Sequence, residues 1–206
     1  MRVDFRKGNH AFFFGVIIPL ASLFVAWLFH QAGGDQLPYW METLSPVYVY
    51  MLIFAGLDKY AWAWPPFRWL GIVTTPDLRG RWVGEQVSSY KSDGEKNTRV
   101  ETVLEIKQTF SKLIVRAFYK TSDSRSVLAD VLETDGEAYL FYTYDNEPNS
   151  VRTEAMKAHR GTVKLLFVPG EKRLIGKYFN NIGNVGDMEL KLESKNLLYR
   201  LGKWVI

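Results

Sequence analysis

The stretch AFFFGVIIPLASLFVAWLFH, Ala11 to His30, runs twenty residues without an Asp, Glu, Lys or Arg. No other feature narrows the fold so far. As a helix, such a run matches the ~30 Å hydrocarbon core of a bilayer. Backbone in lipid must satisfy its own hydrogen bonds, and a helix does so within one segment. A cleaved signal peptide is the competing reading. The run exceeds the usual signal core of about 7–15 residues, and the following FHQAGG lacks a small-x-small cleavage pattern.

A second apolar stretch, LSPVYVYMLIFAGLDKYAWAW, covers Leu44 to Trp64. Asp58 and Lys59 sit near its end, either as a pair at the interface or with Asp58 as a functional carboxylate in the membrane. Tyr60, Trp62, Trp64 and Trp69 are ring types that favour the headgroup level. Pro65-Pro66 is expected to stop any helix. Arg2, Arg6 and Lys7 precede the first run, and Lys59, Arg68, Arg79 and Arg81 follow the second apolar core. No Lys or Arg lies between Gln31 and Leu57, where Asp35 and Glu42 occur. The positive-inside rule then places both termini in the cytoplasm, with an external hairpin near QAGGDQLPYWMET. The expected organisation is a membrane region over 1–75, with helices at about 11–30 and 44–64, and a cytosolic domain over 76–206.

Past Gly80 the period changes to two. VLEIKQ (Val103 to Gln108) and MELKLE (Met188 to Glu193) alternate apolar and charged residues, the mark of a strand with one buried face. Asp135-Gly136 and PGEK (Pro169 to Lys172) are turn signals. Eight strands are expected, near 80–90, 98–109, 112–121, 124–134, 138–146, 157–168, 173–180 and 186–194. Most links are short. Glu147 to Met156 is longer and fits a lid or rim. Short consecutive strands point to an antiparallel up-and-down meander. Closing eight strands removes both edges and leaves room for side chains or one small ligand. A two-sheet sandwich is the alternative.

Parity then assigns inward faces. Trp82 brings Gly84, Gln86 and Ser88 inward, and a tryptophan two residues after Gly80 fits the floor of a small barrel. Leu140, Tyr142, Tyr144 and Asn146 share one face; His159, Gly161, Val163, Leu165 and Phe167 share another. Leu174, Gly176, Tyr178 and Asn180 follow, then Gly186, Met188, Leu190 and Leu192. The third and fourth strands are ambiguous, with Tyr119 and Ser126 taken as inward. The expected interior is aliphatic in one part and polar in the other. Burying so many hydrogen-bonding groups without partners would cost ~1–3 kcal/mol each. They need one another, water or a ligand. The candidate ligand-binding residues are therefore Gln86, Tyr119, Ser126, Tyr142, Tyr144, Asn146, His159, Tyr178 and Asn180, with Arg152 from the long loop. Aromatic faces with amide and imidazole groups suit a flat ligand such as a nucleobase. Plainer roles stand beside these: solvated hydroxyls on Tyr142 and Tyr144, a core histidine at 159, a solvated Arg152.

Other classes find little support. The chain has no cysteine and three histidines, which removes disulfides, thiolate catalysis and cysteine metal sites and disfavours a histidine metal site. No G-x-S-x-G, H-E-x-x-H or P-loop occurs, and no nucleophile stands with a base, so the chain does not read as an enzyme. Residues 76–206 carry 21 Lys and Arg against 18 Asp and Glu, a net of +3 without a basic block. Polymeric DNA or RNA needs a stronger cationic stripe.

The layout resembles the two-transmembrane, β-strand-rich effectors of bacterial cyclic-oligonucleotide-based anti-phage signalling (CBASS). The stretches that carry the resemblance are PDLRGRWVGEQ (76–86), IKQTFSKLIV (106–115), YTYDNEP (142–148), HRGTVKL (159–165) and LIGKYFNNIGNVGDMEL (174–190), in this order behind two apolar segments. The resemblance implies a lipocalin-like barrel that binds a cyclic dinucleotide made by a cognate nucleotidyltransferase, with no other cofactor. It further implies an inner-membrane protein that oligomerises on activation and breaks membrane integrity, killing the host cell. Arg99, Arg125, Arg152 and Arg160, near strand ends, are the expected rim contacts for the two phosphates. Two other readings remain: a membrane-anchored carrier of a hydrophobic ligand, and a scaffold with a filled barrel.

Overall fold

The computed structural model describes residues 12–33, 46–89, 98–120, 122–148 and 158–197. The chain divides into two compact units. One comprises Thr75–Gln108 and Lys112–Ile206; the other comprises Arg2–Thr74 and Thr109–Ser111.

In the first unit, eight antiparallel strands close into a barrel in chain order. They are β1 (Gly80–Ser88), β2 (Thr98–Gln108), β3 (Leu113–Phe118), β4 (Ser122–Thr134), β5 (Glu137–Pro148), β6 (His159–Val168), β7 (Arg173–Asn180) and β8 (Val185–Ser194). Each strand pairs with its sequence neighbour, and β1 pairs with β8 to close the wall. The barrel, not the sandwich, is the observed architecture. The turn chemistry is local. Asp135 and Gly136 both take positive φ (53° and 81°), as a two-residue type I′ hairpin requires. At the other signalled turn, the Lys172 amide donates to the Pro169 carbonyl at 3.3 Å.

Strand alternation puts Trp82, Leu104, Ile106, Val115, Leu140, Leu165, Leu174 and Leu190 in one buried cluster, each at 1% exposure or less, as expected on every strand but β3, whose facing was ambiguous in the sequence. Burying a side chain of this size contributes roughly 1.5–3 kcal/mol, so this aliphatic half fixes the register. β4 is the exception to simple parity. Its pairing with β5 skips Val127 between Ser126 and Leu128, so the extra residue bulges outward. Ser126 faces inward before the bulge, and Ala129 faces inward after it. The β3–β4 ladder is short, pairing only Arg116–Phe118 with Asp123–Arg125. The Ser126 hydroxyl extends it by accepting from the Val115 amide at 3.0 Å.

In the second unit, α1 (Ile18–Gly33) follows a π-helical turn, Phe13–Ile17. Together, Phe13–Gln31 is one helix long and apolar enough to cross a membrane, the one such helix among the described residues. Within the segment expected as a second span, helix α2 is described over Pro46–Lys59, fourteen residues, or about 21 Å at ~1.5 Å per residue; Leu44 and Ser45 lie outside the described residues. The chain leaves helical geometry at Tyr60 (ψ −49°, φ −120°) and makes a 3-10 turn over Ala61–Ala63. Helical geometry stops ahead of Pro65-Pro66 as expected, with Trp64 extended (φ −66°, ψ 141°), and the prolines then occupy the first positions of a short new helix, α3 (Pro65–Trp69). Proline lacks an N–H, and the first helical turn has no intrahelical acceptor for one, so the residue costs nothing there. Phe14, Ile18, Trp62, Ile72, Val73 and Phe110 form the buried core of this unit. Leu20, Phe24, Trp27, Met51 and Leu52 are exposed.

Candidate functional site

The two halves of the barrel interior differ in chemistry. At the aliphatic end, Trp82 is the floor. Its indole Nε1–H donates to the Leu78 carbonyl at 2.9 Å, and its ring meets Phe167 edge-on. The incoming segment is clamped there as well. The Leu78 amide donates to Gln108 Oε1 at 2.8 Å, and Gln108 Nε2 donates to the Pro76 carbonyl at 3.1 Å.

The opposite half is polar. The register brings Tyr144 opposite Gly161 and Tyr178 opposite Gly186, while Asn146 faces both Ser124 and His159. The two glycines make this arrangement possible. A Cβ at Gly161 would collide with the Tyr144 Oη and Cζ, and one at Gly186 would meet Tyr178 Cε1 at 2.5 Å. Each ring thus lies across a bare backbone. Tyr142 and Tyr144 stand 6.2 Å apart between ring centroids, and His159 meets Tyr144 edge-on, also at 6.2 Å. Tyr142, Tyr144, Tyr178 and Asn146 are all buried. Tyr119, just past the end of β3, packs against the same cluster.

Electrostatics tie the phenols together. Burial pushes Tyr119 and Tyr142 well above the ordinary tyrosine value, and neighbouring phenols add to the shift. Tyr144 is pushed up to about 12 by burial and by Tyr178. At neutral pH these are uncharged hydroxyls, each able to donate and to accept. Neutral hydroxyls with an amide and an imidazole recognise base edges and sugars. The hydroxyls and the amide supply no charge for phosphate.

Two of the expected site residues hold structural bonds besides. The Ser126 hydroxyl serves the β3–β4 wall, as above. The Asn180 Oδ1 accepts from the Asn184 amide at 2.9 Å and shapes the β7–β8 turn. Gln86 faces inward, half-buried, opposite Met188 and Val100. Arg152 lies outside the described residues. The other proposed rim arginines alternate outward: Arg99 pairs with Glu85 at 3.0 Å and Arg160 with Asp145 at 2.7 Å. Arg125 is exposed and lies opposite Arg116. Sequence reasoning missed Ser122 and Ser124, both buried on the inner face. The period-two run Ser122-x-Ser124-x-Ser126 was the available signal. Because Gly161 has no side chain, Tyr144 also borders an outer groove of about 450 Å³ with Val127, Arg160 and Phe179.

Comparison with known proteins converges on this barrel. Residues 73–192, more than half of the chain, match the family model "Cap15, cyclic dinucleotide receptor domain". The chain is 30% identical over 179 residues to a CD-NTase-associated protein 15 from Staphylococcus schleiferi, covering 86% of this chain and 91% of the relative. It is 31% identical over 174 residues to a protein of the same name from Yersinia aleksiciae, covering 83% and 79%. A closed eight-stranded barrel with an aliphatic floor and a tyrosine-rich end, matched along almost its whole length, places the chain in the Cap15 family of CBASS effectors.

Proposed function

We propose that this protein is a CBASS effector that binds a cyclic dinucleotide at the polar end of its barrel. The observation that carries this reading is the convergence of Tyr142, Tyr144, Tyr178 and Asn146 on one interior end, within the stretch matched to a cyclic dinucleotide receptor domain. Tyrosine faces stack on bases, while the amide and hydroxyls satisfy base edges. Gln86, Tyr119, Ser126, His159 and Asn180 complete the site, with Arg152 as a phosphate contact from the long loop. The nucleotide comes from a cognate nucleotidyltransferase.

In this proposal the two N-terminal apolar segments hold the chain in the inner membrane, with barrel and both termini in the cytoplasm where the messenger is made. Binding drives oligomerisation of the membrane segments and loss of membrane integrity, ending the infected cell. No catalytic step is involved. The carrier reading is weaker, since the aliphatic half of the lumen is packed by its own side chains.

Titration calorimetry of the detergent-solubilised chain against a panel of cyclic dinucleotides tests the proposal. One panel member is expected to bind, and binding should weaken in Tyr178→Ala. A chain that binds none of them has no sensor role.

A further inference from the structure

Asp58 is an unusual residue at its position. It falls in the last turn of α2, where the helix dipole disfavours a negative charge. Its Oδ1 accepts from the Ser111 amide at 2.7 Å and from the Thr109 hydroxyl at 3.2 Å. Its backbone carbonyl accepts from the Phe110 amide at 3.0 Å. Three consecutive residues of the β2–β3 turn are thus held by one residue of a helix. Phe110 is seated in the same unit, 4% exposed and stacked on Phe14 at 5.0 Å between centroids. One residue earlier in the chain, Gln108 holds Pro76 and Leu78. The chain passes from the helical unit to the barrel at Thr74–Thr75, and in and out of the helical unit at Gln108–Thr109 and Ser111–Lys112. Every one of these crossings lies within four residues of the Gln108 clamp or the Asp58 latch.

We infer that Asp58 is a positioning residue that couples ligand binding in the barrel to the membrane helices, by locking the 109–111 turn to the end of α2. The inference rests on the proposed effector function. The Asp58 carboxylate is satisfied by two donors of the turn, and a change at the end of β2 reaches that turn along the chain at Gln108–Thr109. Asp58 touches no ligand; it acts through the turn.

The test uses the full chain in phosphatidylethanolamine and phosphatidylglycerol vesicles loaded with a self-quenched dye. Each variant is titrated with the same cyclic dinucleotide panel, and affinity and dye release are measured separately. Asp58→Ala is expected to keep affinity within twofold and to lose at least tenfold in ligand-dependent release. Asp58→Asn retains an Oδ1 acceptor and is expected to keep at least half of the wild-type release. A Phe110→Ala variant should behave like Asp58→Ala. Melting temperatures of all variants separate uncoupling from unfolding. Wild-type release from Asp58→Ala overturns the inference, as does a parallel loss of affinity and release. Equal loss in Asp58→Ala and Asp58→Asn also overturns it, because the bonds and not the charge are the argument. Failure of the wild-type chain to bind any panel member removes the effector reading, and the coupling with it.

Discussion

Replacing Gln108 with leucine tests the structural argument most directly. Gln108 is 3% exposed and Leu78 is fully buried, so water is not at hand to replace either amide bond. The substitution leaves the Leu78 N–H and the Pro76 C=O without the glutamine partners they now have, at 2.8 and 3.1 Å. Orphaning a buried group costs about 1–3 kcal/mol. A leucine of similar volume returns about 1–2 kcal/mol of apolar burial. For the two orphaned groups together the cost is about 2–6 kcal/mol, so the net destabilisation centres on about 2.5 kcal/mol. For a unit of this size, a loss of that order lowers Tm by roughly 5–15 °C. The assay is a thermal melt followed by near-ultraviolet circular dichroism, with hydrogen exchange at the Leu78 amide. That amide should pass from strongly protected to rapidly exchanging. A Tm within about 2 °C of wild type with unchanged Leu78 protection would show that Gln108 does not hold the incoming segment.

Three other outcomes follow from the same geometry. Tyr178→Ala should weaken cyclic dinucleotide binding by ~1–3 kcal/mol if a base stacks there, while Tyr178→Phe keeps the stack; calorimetry on both variants decides. The Tyr144 phenol titrates near 12 in the fold against an ordinary value of 10, so the folded state holds its proton more tightly. Stability from this group is therefore present below pH 10 and is lost as pH rises from 10 to 12. Unfolding melts across that window should show a steeper alkaline loss in wild type than in Tyr144→Phe. Gly161→Ala should destabilise the barrel by about 2 kcal/mol or more, because its Cβ meets the Tyr144 ring and the Phe179 carbonyl. Gly170→Ala meets nothing within 4 Å and should be neutral, and a chemical melt on the pair compares them.

The barrel was readable wherever one period held over a whole strand. In β5, Leu140, Tyr142, Tyr144 and Asn146 alternate without interruption, and all four face inward. β4 was readable only in part. The bulge at Val127 breaks its parity, and a bulge is set by pairing with β5 rather than by β4's own residues. For the same reason the sequence offered Ser126 as a ligand residue without showing that its hydroxyl completes the β3–β4 wall. Asn180 was legible as inward-facing, but not as the residue that shapes the β7–β8 turn. The rim arginines show the limit of proximity along a chain. Arg99 and Arg160 sit near strand ends as expected, yet one step of parity turns them outward to Glu85 and Asp145.

The sequence by itself determined the long apolar N-terminal helix, the eight strands, their turns and the split between an aliphatic and a polar interior. Each of these follows from short-range rules: hydrophobic length, a two-residue period, and backbone angles that few residues adopt. Tertiary structure decided which polar groups meet. Tyr144 lies over Gly161 only because β5 and β6 pair in one register, and Gln108 reaches Leu78 across thirty residues of chain. The role of Asp58 was open in the sequence because its partners lie more than fifty residues away, in a turn whose own composition gives no sign of them. Hydrogen-bond partners at such separations are chosen by the closed barrel and the helical core, and no local pattern encodes them.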